Sequence, residues 1–362
     1  MSRWRYFGRR VALSIPILLF AMSMVFLITR AGPTDPVRNI IGPTSGPGDY
    51  HRIAVRLGIE RQVMVNGEVR YVDVPLWQQY VDFMTQLLSF DLGQSWVLNP
   101  STSVFELVAV RAPRTIWLGF WSVLIALFIG IPLGFYAGLN PNTRSDYLAS
   151  FGGIVWRAMP NFWLAVILLQ ILSNTRKLFG FSWQDLGPDT TVVRAPALDF
   201  FADPTMFITS PGAALFGSDG LLAAVKVVLP AALVLGSSSM GNEMRIGRTA
   251  VLETINSNYI ETARAKGLSE RAIVWKHVFR NALIPLVPII TGEAFLLIGG
   301  SIIVEQVFAY QGLGQLFFSA ALSGDLPLVG ALSFIFILLT LVLNIVQDLL
   351  YTIIDPRVGY EE

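Results

Sequence analysis

This sequence predicts an all-α polytopic membrane protein with six transmembrane helices, both termini cytoplasmic, and a cytoplasmic helical element between helices 4 and 5. Three observations predict it. The 362 residues are 53% hydrophobic and 14% charged, with a mean hydropathy of +0.57, whereas soluble domains run near 25% charged. Six apolar runs each reach the roughly 20 residues that a helix needs to cross a bilayer. The short loops between them differ sharply in Lys and Arg content, which orients the chain.

The spans read as Val11–Thr29, Thr115–Leu139, Tyr147–Ser173, Leu221–Gly241, Leu283–Phe308 and Leu328–Ile353. Arg3, Arg5, Arg9 and Arg10 precede the first run. It is longer than the ~7–15 residues of a signal core, so residues 1–29 read as a retained anchor helix. Residues 30–114 form an external loop, and residues 115–362 a core of helices 2–6. That core carries an external insertion at 174–220 and a cytoplasmic loop at 242–282. The loop Asn242–Ala282 holds Arg245, Arg248, Arg264, Lys266, Arg271, Lys276 and Arg280, and Ala309–Pro327 holds no Lys or Arg. The basic loop and both termini are therefore expected in the cytoplasm. The eight arginines of Arg30–Arg114 do not oppose this, because long loops translocate regardless of charge.

In the first external loop, Asn66–Gly67 lies between β-prone runs within Val63–Val72, a strong signal for a two-residue hairpin. Pro75–Phe90 then has Leu76, Tyr80, Phe83, Met84 and Leu87 on one helical face. The insertion Asn174–Gly220 is rich in Pro, Gly and Asp and reads as mostly irregular. The external insertions are either surface decoration or the meeting place for a soluble receptor outside.

Composition also excludes. With zero cysteines and two histidines, His51 and His277, there are no disulfides, thiolate metal sites or cysteine nucleophile, and too few histidines for a histidine-based metal centre. A net charge of +1 gives no reason to expect nucleic acid. No Gly-x4-Gly-Lys-Ser/Thr phosphate loop, no nucleophile elbow and no zinc motif is present, so neither catalytic residues nor cofactor-binding residues are expected here. Energy for any transport must come from another chain or from an ion gradient.

The most informative stretch is Asn258–Pro285. Tyr259–Lys266 can form two helical turns, and Gly267 supplies the left-handed residue that ends a helix, with Leu268 folding back as the apolar contact. Ser269 is a good N-cap for a second helix leading into the fifth span. Ala263 and Gly267 share a face, and small residues there let another backbone come close. On composition alone the stretch is an ordinary basic loop.

Spacing says more. Glu261-Thr262-Ala263, Gly267, His277 and Pro285 resemble the EAA loop of ABC-importer permeases. Thr262–Leu268 is similar to the version in the dipeptide/oligopeptide/nickel family. Further resemblances to that family lie in Asp91–Ser95, Arg111–Thr115, Pro160–Leu164, Leu229–Ala231, Val304–Phe308, Gly312–Gly314, Asp325–Pro327, Asn344, Asp348, Tyr351 and Asp355–Arg357. The resemblance implies a permease of the cell membrane working with a second homologous permease, two ATP-binding subunits and an extracytoplasmic substrate-binding protein. ATP and magnesium would sit on the ATPase subunits. It further implies that Glu261, Thr262, Ala263, Arg264, Ala265, Lys266 and Gly267 form a coupling helix seated in a groove of the ATPase. Small side chains at Ala263 and Gly267 would let it enter.

Charged residues inside a membrane are functional by default. Arg157 and Glu293 each read as about ten residues into their spans, near mid-depth. They are expected to face the interior, either paired with each other or lining the pathway, although the family pattern has uncharged residues at both places. Asn161 belongs to the third-span motif beside Pro160, which is expected to kink that span. Glu305, near the outer end of the fifth span, matches a family motif and is a candidate gate residue. Asn344 and Asp348 on the last span are expected to bond a neighbouring helix or the partner subunit.

The combined expectation is the permease subunit of an ATP-driven importer of di- or oligopeptides. The same machine carrying nickel chelates or small oligosaccharides is one alternative. An ion-driven secondary carrier, or a non-transporting scaffold, stands in another class. A secondary carrier is expected to show inverted repeats, and no repeat is visible.

Overall fold

A computed structural model describes residues 3–30, 35–41, 46–66, 68–187, 198, 203–286, 289, 292 and 302–354. They form two compact units. One unit comprises Trp4–Arg111 and Leu316–Ile345. The other comprises Met1–Arg3, Ala112–Gln315 and Val346–Glu362. This division differs from the expected one at 29/30 and 114/115, because most of the last span packs with the residues before Ala112.

In the first unit, a helix over Arg3–Arg30 and the amphipathic helix Leu76–Leu88 meet the last helix, Leu326–Ile354. Met22, Met84, Leu87 and Phe334 are buried there, with Tyr80 and Phe83 packed against them. Tyr80 also stacks edge-on against Phe26, and its hydroxyl lies 2.8 Å from that of Ser23. Of the five residues expected on the apolar face, Leu76 differs. It is exposed at the first turn, where the helix has not yet reached its partners.

The hairpin forms as expected. Glu60–Val65 pairs antiparallel with Glu68–Asp73, Val65 opposite Glu68, and Asn66 takes φ 56°. Positive φ suits the turn type that matches strand twist. A short helix, Pro47–Arg56, precedes it, with Ala54 and the following Leu57 buried beside Val37. His51 stacks on Tyr71 and lies 2.7 Å from the Glu60 carboxylate.

The second unit is built on one helix, Leu221–Ile255, of 35 residues. The apolar run that suggested a span ends at Gly241, but the helix continues for another fourteen residues. The reason is a change of pattern from apolar to amphipathic. Glu243, Met244, Gly247, Ala250, Val251 and Thr254 are buried along one face, and Arg245, Thr249 and Glu253 are exposed on the other.

Against it lies a helical run from Val104 to Leu139, starting about ten residues before the expected span and containing a π-helical segment at Ala126–Gly130. The two backbones touch. A Cβ on Gly130 would lie 2.9 Å from the Met240 carbonyl oxygen, one on Gly134 would collide with that of Met244, and one on Gly138 would lie 2.9 Å from that of Arg248. Glycine every fourth residue makes a flat stripe along a helix, the usual device for close packing in a membrane.

The third span is two helices, Arg144–Ala158 and Asn161–Ser173, bent by 100° at Met159–Pro160. Pro160 is thus a break and not a mild kink. Four helices among the described residues are long and apolar enough to cross a membrane, and the bent pair can supply a fifth. Half of the expected span Leu283–Phe308, including Glu293, lies outside the described residues.

Candidate functional site

The Asn258–Pro285 stretch folds much as its pattern suggests. Asn258–Ala265 is a helix. Leu268 N–H donates to the Ala263 carbonyl at 3.3 Å, and Gly267 N–H to that of Arg264 at 2.9 Å. Gly267 has φ +73°. Together these are the two bonds and the left-handed residue of a Schellman ending. The Ser269 hydroxyl then accepts from Ala272 N–H at 3.4 Å, capping the next helix. That helix is not regular: it passes into a π segment at Ile273–Val278, and Pro285 falls in a 3-10 turn.

One expectation needs correction. Ala263 does not present itself to a partner. It is buried at 7% exposure among Ile260, Ile273, Val278 and Ala282 of the same stretch, beside Val251 and Phe135. Its small size serves this internal packing. A Cβ on Gly267 would meet nothing within 4 Å, so glycine is required there by φ alone. The exposed residues of the motif are Glu261, Thr262, Arg264, Ala265, Lys266 and Gly267. Tyr259 and Trp275 are also exposed, at 46% and 62%. Trp275 lines a shallow surface depression with Arg271, and Trp, Tyr and Arg are the residue types enriched at protein interfaces.

A second feature braces this loop. Asp146 accepts two bonds from the Arg248 guanidinium, at 2.6 and 2.7 Å, and a third from Asn142 N–H at 3.0 Å. Asp146 is 2% exposed. Thr143 caps the helix that Asp146 enters. The connection Asn140–Asp146 is thereby tied to the long helix about two turns before that helix ends at Ile255. Bidentate pairing of this kind fixes orientation as well as proximity.

The candidate pathway residues fall in different places. Arg157 and Asn161 flank the Met159–Pro160 bend, one in the last turn of the first helix and the other opening the second. Arg157 is exposed and lines a cleft of about 130 Å³ with Ser150, Gly153, Met244, Arg245 and Thr249. The proposed partner Glu293 lies outside the described residues.

Glu305 is fully buried. Its carboxylate accepts from the Thr115 hydroxyl at 3.1 Å and from Gln315 N–H at 2.9 Å, while Thr115 Oγ1 accepts from Leu313 N–H at 2.7 Å. The Tyr310 hydroxyl donates to the Arg114 carbonyl at 2.8 Å. Three short motifs, around Arg114–Thr115, Glu305 and Gly312–Gly314, meet at this joint. A Cβ on Gly312 would collide with Thr115 Oγ1.

Comparison with known proteins agrees with these motifs. The family described as binding-protein-dependent transport system inner membrane component matches residues 130–360. An oligopeptide transport system permease protein of Bacillus subtilis is 31% identical, covering 98% of this chain and 99% of its own. A dipeptide transport system permease protein of Escherichia coli is 28% identical over 98% of both. Among solved structures, the inward-facing MetNI methionine ABC transporter aligns with TM-score 0.45 and 19% identity, covering 69% of this chain and 97% of that one.

Proposed function

Since this chain belongs to the family of binding-protein-dependent transport system inner membrane components, being a multi-pass permease of the cell membrane, we propose that it forms half of the pathway of an ATP-driven importer of di- and oligopeptides. A second homologous permease supplies the other half, two cytosolic subunits hold ATP and magnesium, and an external binding protein delivers the substrate. The full-length similarity to permeases named for oligopeptide and dipeptide transport supports the cargo class. The proposed topology has six spans with both termini in the cytoplasm, and the Lys/Arg asymmetry of the short loops supports it.

The observation that carries the coupling role is the build of the Asn258–Ala265 helix. Its Glu261, Thr262, Arg264, Ala265 and Lys266 face outward, while Ile260, Ala263 and Leu268 hold it to the chain's own core. A short helix anchored from below and bare above is suited to seat in a groove of another subunit. Movement there reaches the membrane through the Arg248–Asp146 brace and the long helix. Arg157 and Asn161, at the bend of the third span, are the proposed pathway residues. Glu305 serves the pathway from behind, by fixing the turn between the fifth and sixth spans.

The test is reconstitution of the four-subunit complex in vesicles with its binding protein outside. Uptake of a labelled dipeptide that requires internal ATP supports the reading. Uptake by this chain alone, driven by an ion gradient, would overturn it.

A further inference from the structure

The helix Leu76–Leu88 has a second apolar face that its packing leaves bare. Its residues advance by about 100° each, which divides it into three sectors. Tyr80, Phe83, Met84 and Leu87 face the first and last spans. Trp77, Val81 and Leu88 lie within about 40° of one another, roughly a quarter turn further round, and are 50–69% exposed. Asp82, Thr85, Gln86 and Ser89 hold the remaining side and are also exposed. The surface helix of a soluble domain keeps its apolar stripe for its core. Here the apolar arc runs on past the core, and the polar arc begins only where it stops.

The place of the helix says what the bare face meets. The Phe26 ring touches both Tyr80 and Phe83, at 5.3 and 5.5 Å between centroids. Phe83 also closes on Gly330, where a Cβ would lie 3.0 Å from its ring. Just past the helix, Phe90 packs edge-on against Phe334 at 5.7 Å. The helix thus crosses the two spans instead of running along either. Phe26 meets Gly330 through Phe83, and Met22 shares a cluster with Phe334, so the spans are antiparallel, with Arg30 and Asp325 at the same end. These two are the first charges met on leaving the apolar runs, and they mark the edge of the hydrocarbon layer. Phe26 and Gly330 lie about 6–8 Å inside that edge, and Met22 and Phe334 about 12–14 Å, at 1.5 Å per residue. An interfacial helix buries its apolar side to a similar depth, about 5–10 Å. Near the same level the first span leaves Met24, Leu27 and Ile28 bare. Trp77 is also the residue type that settles there, its ring among acyl chains and its N–H among headgroups.

We propose that Leu76–Leu88 is an interfacial helix whose Trp77–Val81–Leu88 face is covered by the acyl chains of phospholipid, with Asp82, Thr85, Gln86 and Ser89 turned to headgroups and water. The segment between the first two spans is thereby held by lipid as well as by the first and last spans. The proposed topology makes the leaflet the outer one; the lipid contact itself rests neither on that topology nor on the transport reading.

The chain has no cysteine, so a single nitroxide label can be placed without removing any native thiol. Trp77→Cys, Val81→Cys and Leu88→Cys are compared with Asp82→Cys and Thr85→Cys, each in the complex as it purifies, reconstituted in vesicles of phosphatidylethanolamine and phosphatidylglycerol. Power-saturation spectroscopy reads collision with oxygen, which concentrates among acyl chains, and with water-soluble chromium oxalate. The expected result is an oxygen-to-chromium ratio several-fold higher at the first three positions than at the other two. Chromium access at Val81 and Leu88 equal to that at Asp82 would put the face in water and overturn the proposal. Labels there closed to both reagents would mean that a protein partner covers the face, which overturns it equally. Val81 and Leu88 lie about two turns apart, so misfolding of one variant leaves the other to decide. Dipeptide uptake by the unlabelled complex is measured alongside. If uptake fails while the ratio pattern holds, the importer reading falls and the lipid contact stands.

Discussion

Ser95 donates its hydroxyl hydrogen to Asp325 at 2.6 Å, across 230 residues of sequence, with both side chains fully buried. The same carboxylate accepts from the backbone N–H groups of Trp96, Val97 and Leu98 at 3.0–3.2 Å. Successive N–H groups pointing at one anion make a nest. Two motifs that read as separate landmarks are thus one device, closing residues 95–98 onto the start of the last helix.

Asp325→Ala removes the acceptor for all of these donors at once. Hydrogen bonds to a buried charge contribute about 1.5–3 kcal/mol each, and donors left bare cost more. We expect a loss of roughly 3 kcal/mol, with Asp325→Asn intermediate. Thermal unfolding of the detergent-solubilised protein, with protease cutting near residues 95–100 as a local readout, checks this. Wild-type resistance in both would show that the nest does not hold the segment.

Ala263 and Ala265 are two residues apart, and the structure separates their roles. Ala263→Leu overfills the internal cluster and is expected to destabilise the loop by about 1–3 kcal/mol. Ala265→Leu lies in solvent and should leave stability unchanged while weakening ATPase association. Unfolding midpoint and co-purification of the ATPase measure the two effects separately. Equal loss of stability in both variants would contradict the assigned orientation.

Gly267→Ala tests conformation without contact, since nothing lies near the added methyl group. A left-handed backbone at a residue with a Cβ is unfavourable by about 1–2 kcal/mol. Gly267→Asn should recover part of this, because Asn tolerates that region. Stability in the order Gly, Asn, Ala is expected; Ala equal to Gly would mean the loop has another ending.

Asp146→Asn and Arg248→Gln break the brace from either side. Removing Arg248 strands a buried carboxylate, which is destabilising by about 3–5 kcal/mol where burial is complete, and somewhat less here because the Arg248 side chain is 30% exposed. A double-mutant cycle on unfolding should return a coupling of about 2 kcal/mol. Additive losses would mean that the pair acts only as two separate surface groups.

Gly134→Leu is the severe case. Its side chain would enter the Met244 backbone, so the helices must part along the stripe. We expect no recoverable folded protein, and Gly134→Ala to be nearly as damaging. Gly152, with open space at its Cβ position, should accept Ala without loss of yield; failure of Gly152→Ala would show that expression reports glycine content and not packing.

Features determined within a few residues were legible in the sequence. Asn66–Gly67 announced the hairpin, Gly267 and Ser269 the helix end and the next start, and Pro160 the place, though not the size, of the bend. What escaped depends on distance or direction. The smallness of Ala263 was visible, but not the side on which a neighbour lies. Glu305 stood out as a charge, yet its role depends on Thr115 and Gln315, which no local pattern links to it. The long helix was cut short at Gly241 because hydropathy falls where the helix turns amphipathic. The spacing of Gly130, Gly134 and Gly138 was there to be seen.

The continuous helix Leu221–Ile255 has one more consequence. At 1.5 Å per residue it is about 52 Å long, against a hydrocarbon thickness of about 30 Å. A rod of that length is a lever, with one end bonded to the Gln184 carbonyl at Lys226 and the other followed directly by the Asn258–Ala265 helix. Tilting it by about 10° would carry one tip by roughly 9 Å relative to the other. A movement of that size at one end would be felt at the other as a change of slope, with no relay of side chains needed along the helix.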